Sequence, residues 1–403
     1  MDKGKSIFIF EYLSCGGLIH ENADISLLTE GFSMLKALIK DFFRLGFEIN
    51  LMIDYRINAQ LENLKKECNT IDFRTISSKA EDFKREFDSL VINSEYIIVI
   101  APEFQEILFN LVKRAERIIN TYDEKHLLNP PSSFVFNFSD KLLTENVLKK
   151  YNMKFPSSFS LTEFLEFYES QNKDNIPKIT NTFIMKPADG VGSINTFQIS
   201  FNRGNFKNGR DLFIQLERII KYIQINFPEQ EYIIQNKIQG TPLSLSIINR
   251  NGEIDFFSIN RQDIRYVSVH MDPQIDGISL EKIEYIGGTT PYVELPRETL
   301  LYLHSVSDKL CQTYPFTGFF GVDLIFIKQE ELHYTYPNKV CFLEINPRIT
   351  TPYIAYSAIF TKLSKTLAEL FFQGSYSIVD QPLTYQCRYE KNKKTNAMDF
   401  VWL

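Results

Sequence analysis

Short apolar runs and amphipathic stretches alternate along the first third of the chain. Ile7-Phe8-Ile9-Phe10 is a continuous apolar run, the pattern of a strand buried on both faces. It empties into Glu11-Tyr12-Leu13-Ser14-Cys15-Gly16-Gly17, a loop whose glycines open backbone conformations closed to other residues. Phe32, Leu35, Leu38, Phe42 and Leu45 then recur at three- and four-residue intervals, which predicts a helix capped by Thr29 and stopped at Gly46. Glu48 to Ile53 and Tyr96 to Ile100 read as further strands. Strands separated by helices imply right-handed crossovers and a parallel sheet. Ligands of such sheets sit at the carboxyl ends of the strands, where Glu11–Gly17, Asp54–Arg56 and Pro102–Glu103 would gather.

Asn129-Pro130-Pro131-Ser132-Ser133 punctuates the pattern and marks a boundary near 125–132. Phe134 to Phe138 reads as a strand, followed by a helix that Ser139 caps and that begins Asp140-Lys141. A polar stretch over 170–180, ending in Pro177, reads as a linker. Beyond it the chain turns strand-rich: Thr182 to Met185, Asn195 to Ser200, Tyr232 to Gln235, Leu243 to Asn249 and Ile254 to Ile259, with a helix over Asp211 to Ile225. Asn251-Gly252 joins two of these as a hairpin, since both residues accept positive φ. Phe319 to Ile327 and Val340 to Ile345 are two more strands, and Ile354 to Phe372 a last helix. The tail beyond 376 carries no pattern that assigns it.

Composition narrows the class. The 403 residues correspond to roughly 2.7 average domains. With 44% apolar and 23% charged residues, 17 Gly and 16 Pro, the chain is an ordinary globular one rather than collagenous, coiled-coil or disordered. The net charge of −6 argues against a dedicated nucleic-acid binder. Five scattered cysteines without C-x-x-C spacing suggest a reduced, cytoplasmic protein with no cysteine-built metal site. No apolar run approaches the roughly 18 residues a spanning helix needs, so no membrane partner is expected.

Three stretches carry chemistry. Met185-Lys186-Pro187-Ala188-Asp189-Gly190-Val191-Gly192-Ser193 brings a lysine on a strand into a loop whose backbone N–H groups can wrap phosphate oxygens. The bland alternative is a hairpin with a solvated lysine. In Phe342-Leu343-Glu344-Ile345-Asn346-Pro347-Arg348, alternation puts Glu344 and Asn346 on one face, an oxygen pair suited to Mg²⁺, with Mn²⁺ as an alternative. Arg348 can fork onto a phosphate or carboxylate. Asp323 lies inside the apolar run Gly318 to Phe326, where a lone carboxylate is costly unless paired or metal-bound. A strand-end position or a nearby Arg would also explain it. Tyr232 to Gly240 is a strand ending in polar residues that can meet a purine edge or simply form a sheet edge. The five histidines have no zinc or triad spacing.

Taken in order, Lys141, Lys186, the loop 189–193, the stretch 234–238, Asp323 and Glu344-x-Asn346-x-Arg348 resemble the ATP-grasp superfamily over 139–350. The resemblance implies two β-rich lobes gripping ATP, preceded by an α/β domain: 1–125, then 126–375 with lobes near 126–240 and 241–375, then a tail over 376–403. Within the superfamily, Phe10 to Gly17, Glu30-Gly31-Phe32-Ser33-Met34-Leu35 and Tyr285-Ile286-Gly287-Gly288-Thr289-Thr290-Pro291 are similar to tyramine–glutamate ligases and related ATP-dependent carboligases. That resemblance implies a biosynthetic carboxylate–amine ligase acting through an acyl phosphate on small molecules. Lys141, Lys186, Asp189, Gly190, Val191, Gly192, Ser193, Gln235, Asn236, Lys237 and Ile238 would bind ATP. Asp323, Glu344 and Asn346 would hold the metal, and Arg261 and Arg348 would act in catalysis. Glu11, Ser14, Gly16, Gly17, Gly287, Gly288 and Thr289 would meet substrate. Members often carry an acidic residue for the ribose just after the hinge, where Gly240-Thr241-Pro242-Leu243-Ser244 offers none. A dipeptide or polyglutamate ligase, a kinase and a non-catalytic ATP sensor are the competing readings, and a homodimer is the default assembly.

Overall fold

The computed structural model describes residues 5–19, 25–76, 80–122, 124–151, 153–170, 182–190, 192–202, 205–206, 209–229, 231–271, 277–327, 337–380, 383–392 and 397–403. In chain order the first region holds β1 (Ser6–Glu11), α1 (Ile25–Arg44), β2 (Glu48–Asp54), α2 (Asn58–Glu67), β3 (Ile71–Ile76), α3 (Ala80–Asn93), β4 (Tyr96–Ile100), α4 (Ile107–Ile119) and β5 (His126–Leu127). Its five strands form one parallel sheet in the order β3-β2-β1-β4-β5. Ile7 to Phe10 and Ile97 to Val99 are fully buried, as strands covered on both faces must be. Chain order reverses between β1 and β4, so the carboxyl ends of those strands border a natural crevice.

The remainder holds α5 (Ser132–Ser139), α6 (Lys141–Leu148), β6 (Ser158–Ser160), α7 (Leu161–Ser170), β7 (Thr182–Pro187), β8 (Phe197–Phe201), α8 (Gly209–Asn226), β9 (Tyr232–Asn236), β10 (Gly240–Arg250), β11 (Glu253–Ser268), β12 (Ile278–Thr290), α9 (Arg297–Thr313), β13 (Thr317–Ile327), β14 (Val340–Asn346), α10 (Pro352–Lys362), β15 (Tyr376–Ser377), β16 (Cys387–Asn392) and β17 (Ala397–Trp402). Its strands join one sheet, antiparallel except where β15 meets β11, in the order β14-β13-β10-β11-β12-β8-β7-β9-β6. Two separate apolar cores lie along it. One gathers β10, β11, β13, β14 and α9; the other gathers β7, β8, β9 and α8, whose Leu212, Leu216, Ile219, Ile220 and Ile223 share a face. The long strand β12 crosses between them, pairing β8 near its start and β11 near its end. Asn251 and Gly252 have φ of 53° and 97°, as the hairpin requires.

Several local expectations are corrected. Residues 134–138 form a helix, not a strand: Phe134 and Phe138, four apart, are buried together while Phe136 is 50% exposed. Lys141 therefore follows a helix. The cap of α6 is Asp140, whose carboxylate accepts the Leu143 N–H at 2.7 Å, rather than Ser139. Thr29 lies inside α1, which begins at Ile25. The last helix is broken after Lys362, where Ser364 takes φ 57°, and resumes as a 3₁₀ turn over Leu367–Phe371. The tail is structured: β16 pairs with β12 and with β17. Its Tyr389, Cys387 and Met398 join the first sheet's core through α1 and α10. The stretch 171–181, with Pro177, lies outside the described residues. Among the described residues no helix is long and apolar enough to cross a membrane.

Candidate active site

A cleft of about 250 Å³ opens between the two cores, reached from the first region by Glu30 of α1. Strand alternation supplies its chemistry. On β7, Met185 enters the core while Lys186 reaches the cleft; on β14, Ile345 is buried while Glu344 and Asn346 face out. In the β13–β14 register, Asp323 stands directly opposite Glu344 and Gly321 opposite Asn346. Two carboxylates in cross-strand contact repel each other. The Asn346 amide donates to Asp323 at 3.2 Å, and the Gln262 amide does so at 3.1 Å.

The amines come from elsewhere in the chain. Lys141, in the first turn of α6, places Nζ 3.3 Å from Glu344 Oε2 and donates to the Gly190 carbonyl at 3.0 Å. Burial draws the Lys186 ammonium down to about 8, with Lys141 adding to the fall and Glu344 opposing it. Burial would raise the Glu344 carboxyl, but Lys141 and Lys186 outweigh it and hold the group below its ordinary value. Asp323 moves the other way, lifted by burial and then by the charge on Glu344. The two carboxylates are thus pushed apart in their hold on a proton, a repulsion that a divalent cation between them would relieve. With the Asn346 amide beside them, these oxygen donors fit Mg²⁺.

The glycine loop closes the cleft roof. Gly190, Gly192 and Ser193 line it, and the Ser193 hydroxyl accepts the Tyr285 N–H of β12 at 2.9 Å. Asp189 turns outward, its carboxylate accepting the Gln105 N–H at 3.0 Å. Val191 lies outside the described residues. Gln235, Asn236, Lys237 and Ile238 all line the cleft, where Ile184, Ile238, Ile325 and Leu343 give it an apolar slot. Lys237 bonds the Gln198 amide oxygen and lies over the Tyr266 ring. Arg348 is held from the first region: its Nε is 2.9 Å from Glu103 Oε1, just beyond β4.

Other named residues lie apart from the cleft lining. Glu11 accepts the N–H groups of Leu13 and Ser14 at 3.2 and 2.8 Å, and the Ser14 hydroxyl, closing its own turn with Gly16 and Gly17. Gly287, Gly288 and Thr289 lie under the tail strand, paired with Glu390, Tyr389 and Arg388. A Cβ on Gly287 would come 2.1 Å from the Tyr389 carbonyl oxygen, and one on Gly288 2.4 Å from that of Arg261. These glycines permit that close approach. Arg261 bridges to Asp263 at 3.3 Å, so its neighbour Gln262, on the opposite face, is the one that touches Asp323. Gln262 was given no role in the sequence reading, although strand alternation next to Arg261 was an available signal for it. Glu103 was expected only among the groups gathered at the strand ends, and Glu30 only within a stretch similar to the ligases, neither with a contact of its own.

A family model described as ATP-grasp domain matches residues 138–352, more than half of the chain. Tyramine–L-glutamate ligase of Methanocaldococcus jannaschii is 24% identical over 393 residues, 96% of this chain and 93% of that protein. The Methanocaldococcus fervens protein of that name is 24% identical over 374 residues, covering 92% and 94%. Among solved structures, an ATP-grasp superfamily protein from Archaeoglobus fulgidus superposes with a TM-score of 0.63 at 19% identity, over 99% of this chain and 100% of that one. The biotin carboxylase domain dimer of Hydrogenobacter thermophilus 2-oxoglutarate carboxylase, with MgADP, gives 0.58 at 12% identity over 98% and 77%. The chain belongs to the ATP-grasp family and is an ATP-dependent ligase.

Proposed function

We propose that this ligase joins a carboxylate to an amine through an acyl phosphate, with an amino acid such as glutamate as donor and a small amine such as tyramine as acceptor. The observation that carries the reading is the convergence of Lys141, Lys186, Asp323 and Glu344 on one cleft. The substrate names rest on the two Methanocaldococcus relatives.

In this reading the base of ATP occupies the apolar slot beside 235–238. Lys141 and Lys186 neutralise the α- and β-phosphates, and the backbone of Gly190, Gly192 and Ser193 covers the γ-phosphate. Mg²⁺ held by Asp323, Glu344 and Asn346 supplies charge neutralisation to the phosphates when bound. Arg348, steadied by Glu103, faces the transferring phosphoryl group, and Arg261 assists at greater distance. A carboxylate oxygen of the donor attacks the γ-phosphorus and ADP leaves. The amine nitrogen then attacks the acyl carbon, phosphate leaves, and the amine loses a proton. Positioning and fixed charge provide the acceleration, and the closed loop keeps water from the acyl phosphate. The five cysteines are all buried thiols, which supports a cytoplasmic enzyme. The dimer named for the biotin carboxylase domain supports a homodimer.

ADP release with Mg²⁺-ATP, L-glutamate and tyramine, with products read by mass, tests the function. Release that needs both partners, with an amide product, is expected. A phosphorylated product would make the protein a kinase, and nucleotide binding without turnover would make it a sensor.

A further inference from the structure

The far end of the cleft holds an ion pair that the nucleotide machinery does not use. Glu30 of α1 lines the cleft. One of its carboxylate oxygens accepts the Thr351 hydroxyl at 3.0 Å, and the other pairs with Lys391 of the tail strand β16. The two side chains are only 10% and 13% exposed. Lys391 lies 5.5 Å from the centre of the Tyr285 ring, and Tyr285 also lines the cleft. Three remote stretches, near 30, 351 and 391, therefore meet at one point.

Fold stability is a poor reason for that meeting. A buried ion pair recovers little beyond its own desolvation cost, and apolar residues of similar size would pack there as well. Its placement suggests recognition. The tail brings Lys391 here because Gly287 lets β16 lie close on β12. The same β12 carries Tyr285, whose N–H bonds Ser193 of the loop over the phosphates. Occupancy at this end is thus linked through one residue to the loop at the other.

A negative and a positive group side by side, with a hydroxyl and an aromatic face, complement a zwitterion. We propose that Glu30 and Lys391 bind the head group of an α-amino acid: its ammonium meets the Glu30 carboxylate and its carboxylate meets the Lys391 ammonium and the Thr351 hydroxyl. The ligand replaces the internal ion pair by two of its own, so neither charge is left bare. This rests on the ligase reading above for the presence of an amino-acid substrate, but binding tests it without turnover. It also gives the tail strand β16 a role in specificity.

The probes are L-glutamate, glutarate, which lacks the ammonium, and 4-aminobutyrate, which lacks the α-carboxylate. Each is titrated calorimetrically into the full chain saturated with MgADP. The wild-type protein should bind L-glutamate. Glu30→Gln and Lys391→Met should each weaken that binding roughly tenfold or more, the effect of losing one charged hydrogen-bonding partner. Glu30→Gln should leave glutarate binding unchanged or tighter, and Lys391→Met should leave 4-aminobutyrate binding unchanged or tighter, since each substitution removes the charge that the probe would leave bare. MgADP affinity, held within about twofold in both variants, reports that the fold and nucleotide site survive. Failure of the wild type to bind L-glutamate, or equal losses for all three probes, overturns the proposal. Failure to bind MgADP would instead strike the ligase reading.

Discussion

Acidic side chains gather in two places, at the carboxyl edge of the parallel sheet and on the β13–β14 pair, and the chain treats them differently. Glu11, Asp54 and Glu103 end β1, β2 and β4 or follow them closely, and all are at most 5% exposed. Each is engaged by the protein itself: Glu11 by its own turn, Asp54 by the Arg56 guanidinium at 2.6 Å, and Glu103 by Arg348. Asp323 and Glu344 face each other across a strand pair and open to the cleft. On the proposed reading, the difference separates carboxylates that hold a fold from carboxylates that would meet a cation. Burial alone does not make the distinction; the partner does.

The largest expected effect falls on the second group. Glu344→Gln should lower ADP-forming turnover by about a thousandfold, since charge neutralisation at the phosphates is worth several kcal/mol. The fold should survive with a modest fall in melting temperature, because relief of repulsion with Asp323 is outweighed by the counter-charge that Lys141 and Lys186 lose. Glu11→Gln should act chiefly on the fold instead. It places an amide donor against the donors of Leu13 and Ser14 and should cost about 2–3 kcal/mol in urea denaturation, with MgADP affinity intact. Unchanged stability with weakened substrate binding would instead make Glu11 a substrate ligand.

A smaller effect concerns pH. The Lys186 ammonium of the free protein titrates at about 8. Phosphate favours its charged form, so metal-free ADP binding should take up a proton near pH 8 and weaken roughly tenfold between pH 7 and pH 9. Calorimetry in two buffers of different ionisation enthalpy reads the proton directly. In stability terms the sign is opposite. The folded state holds this proton less firmly than the unfolded chain, so Lys186 contributes increasing stability from about pH 8 toward its ordinary value. Lys186→Met should abolish the proton uptake.

Much of the frame could be read before the structure. Period-two alternation placed Glu344 and Asn346 on one face, and short apolar runs marked β1, β2, β4, β13 and β14. The errors share a cause. Phe134-Val135-Phe136-Asn137-Phe138 satisfies both a strand and a helix pattern, and only packing against Phe316 and Phe320 resolves it. The tail lacks a periodic signal because its strands gain order from β12 and the first sheet's core, partners distant in sequence. The contacts of Glu30, Glu103 and Gln262 were hidden for the same reason: each is made with a residue more than 60 positions away.

The most direct test of the poised carboxylates is the affinity for ADP with and without Mg²⁺, in the wild-type protein and in Glu344→Gln. The wild type should bind at least about tenfold more tightly with the metal. The variant should lose that gain while binding metal-free ADP as well as before. A variant that keeps the full metal-dependent gain would contradict the assignment of Asp323, Glu344 and Asn346 as the cation site.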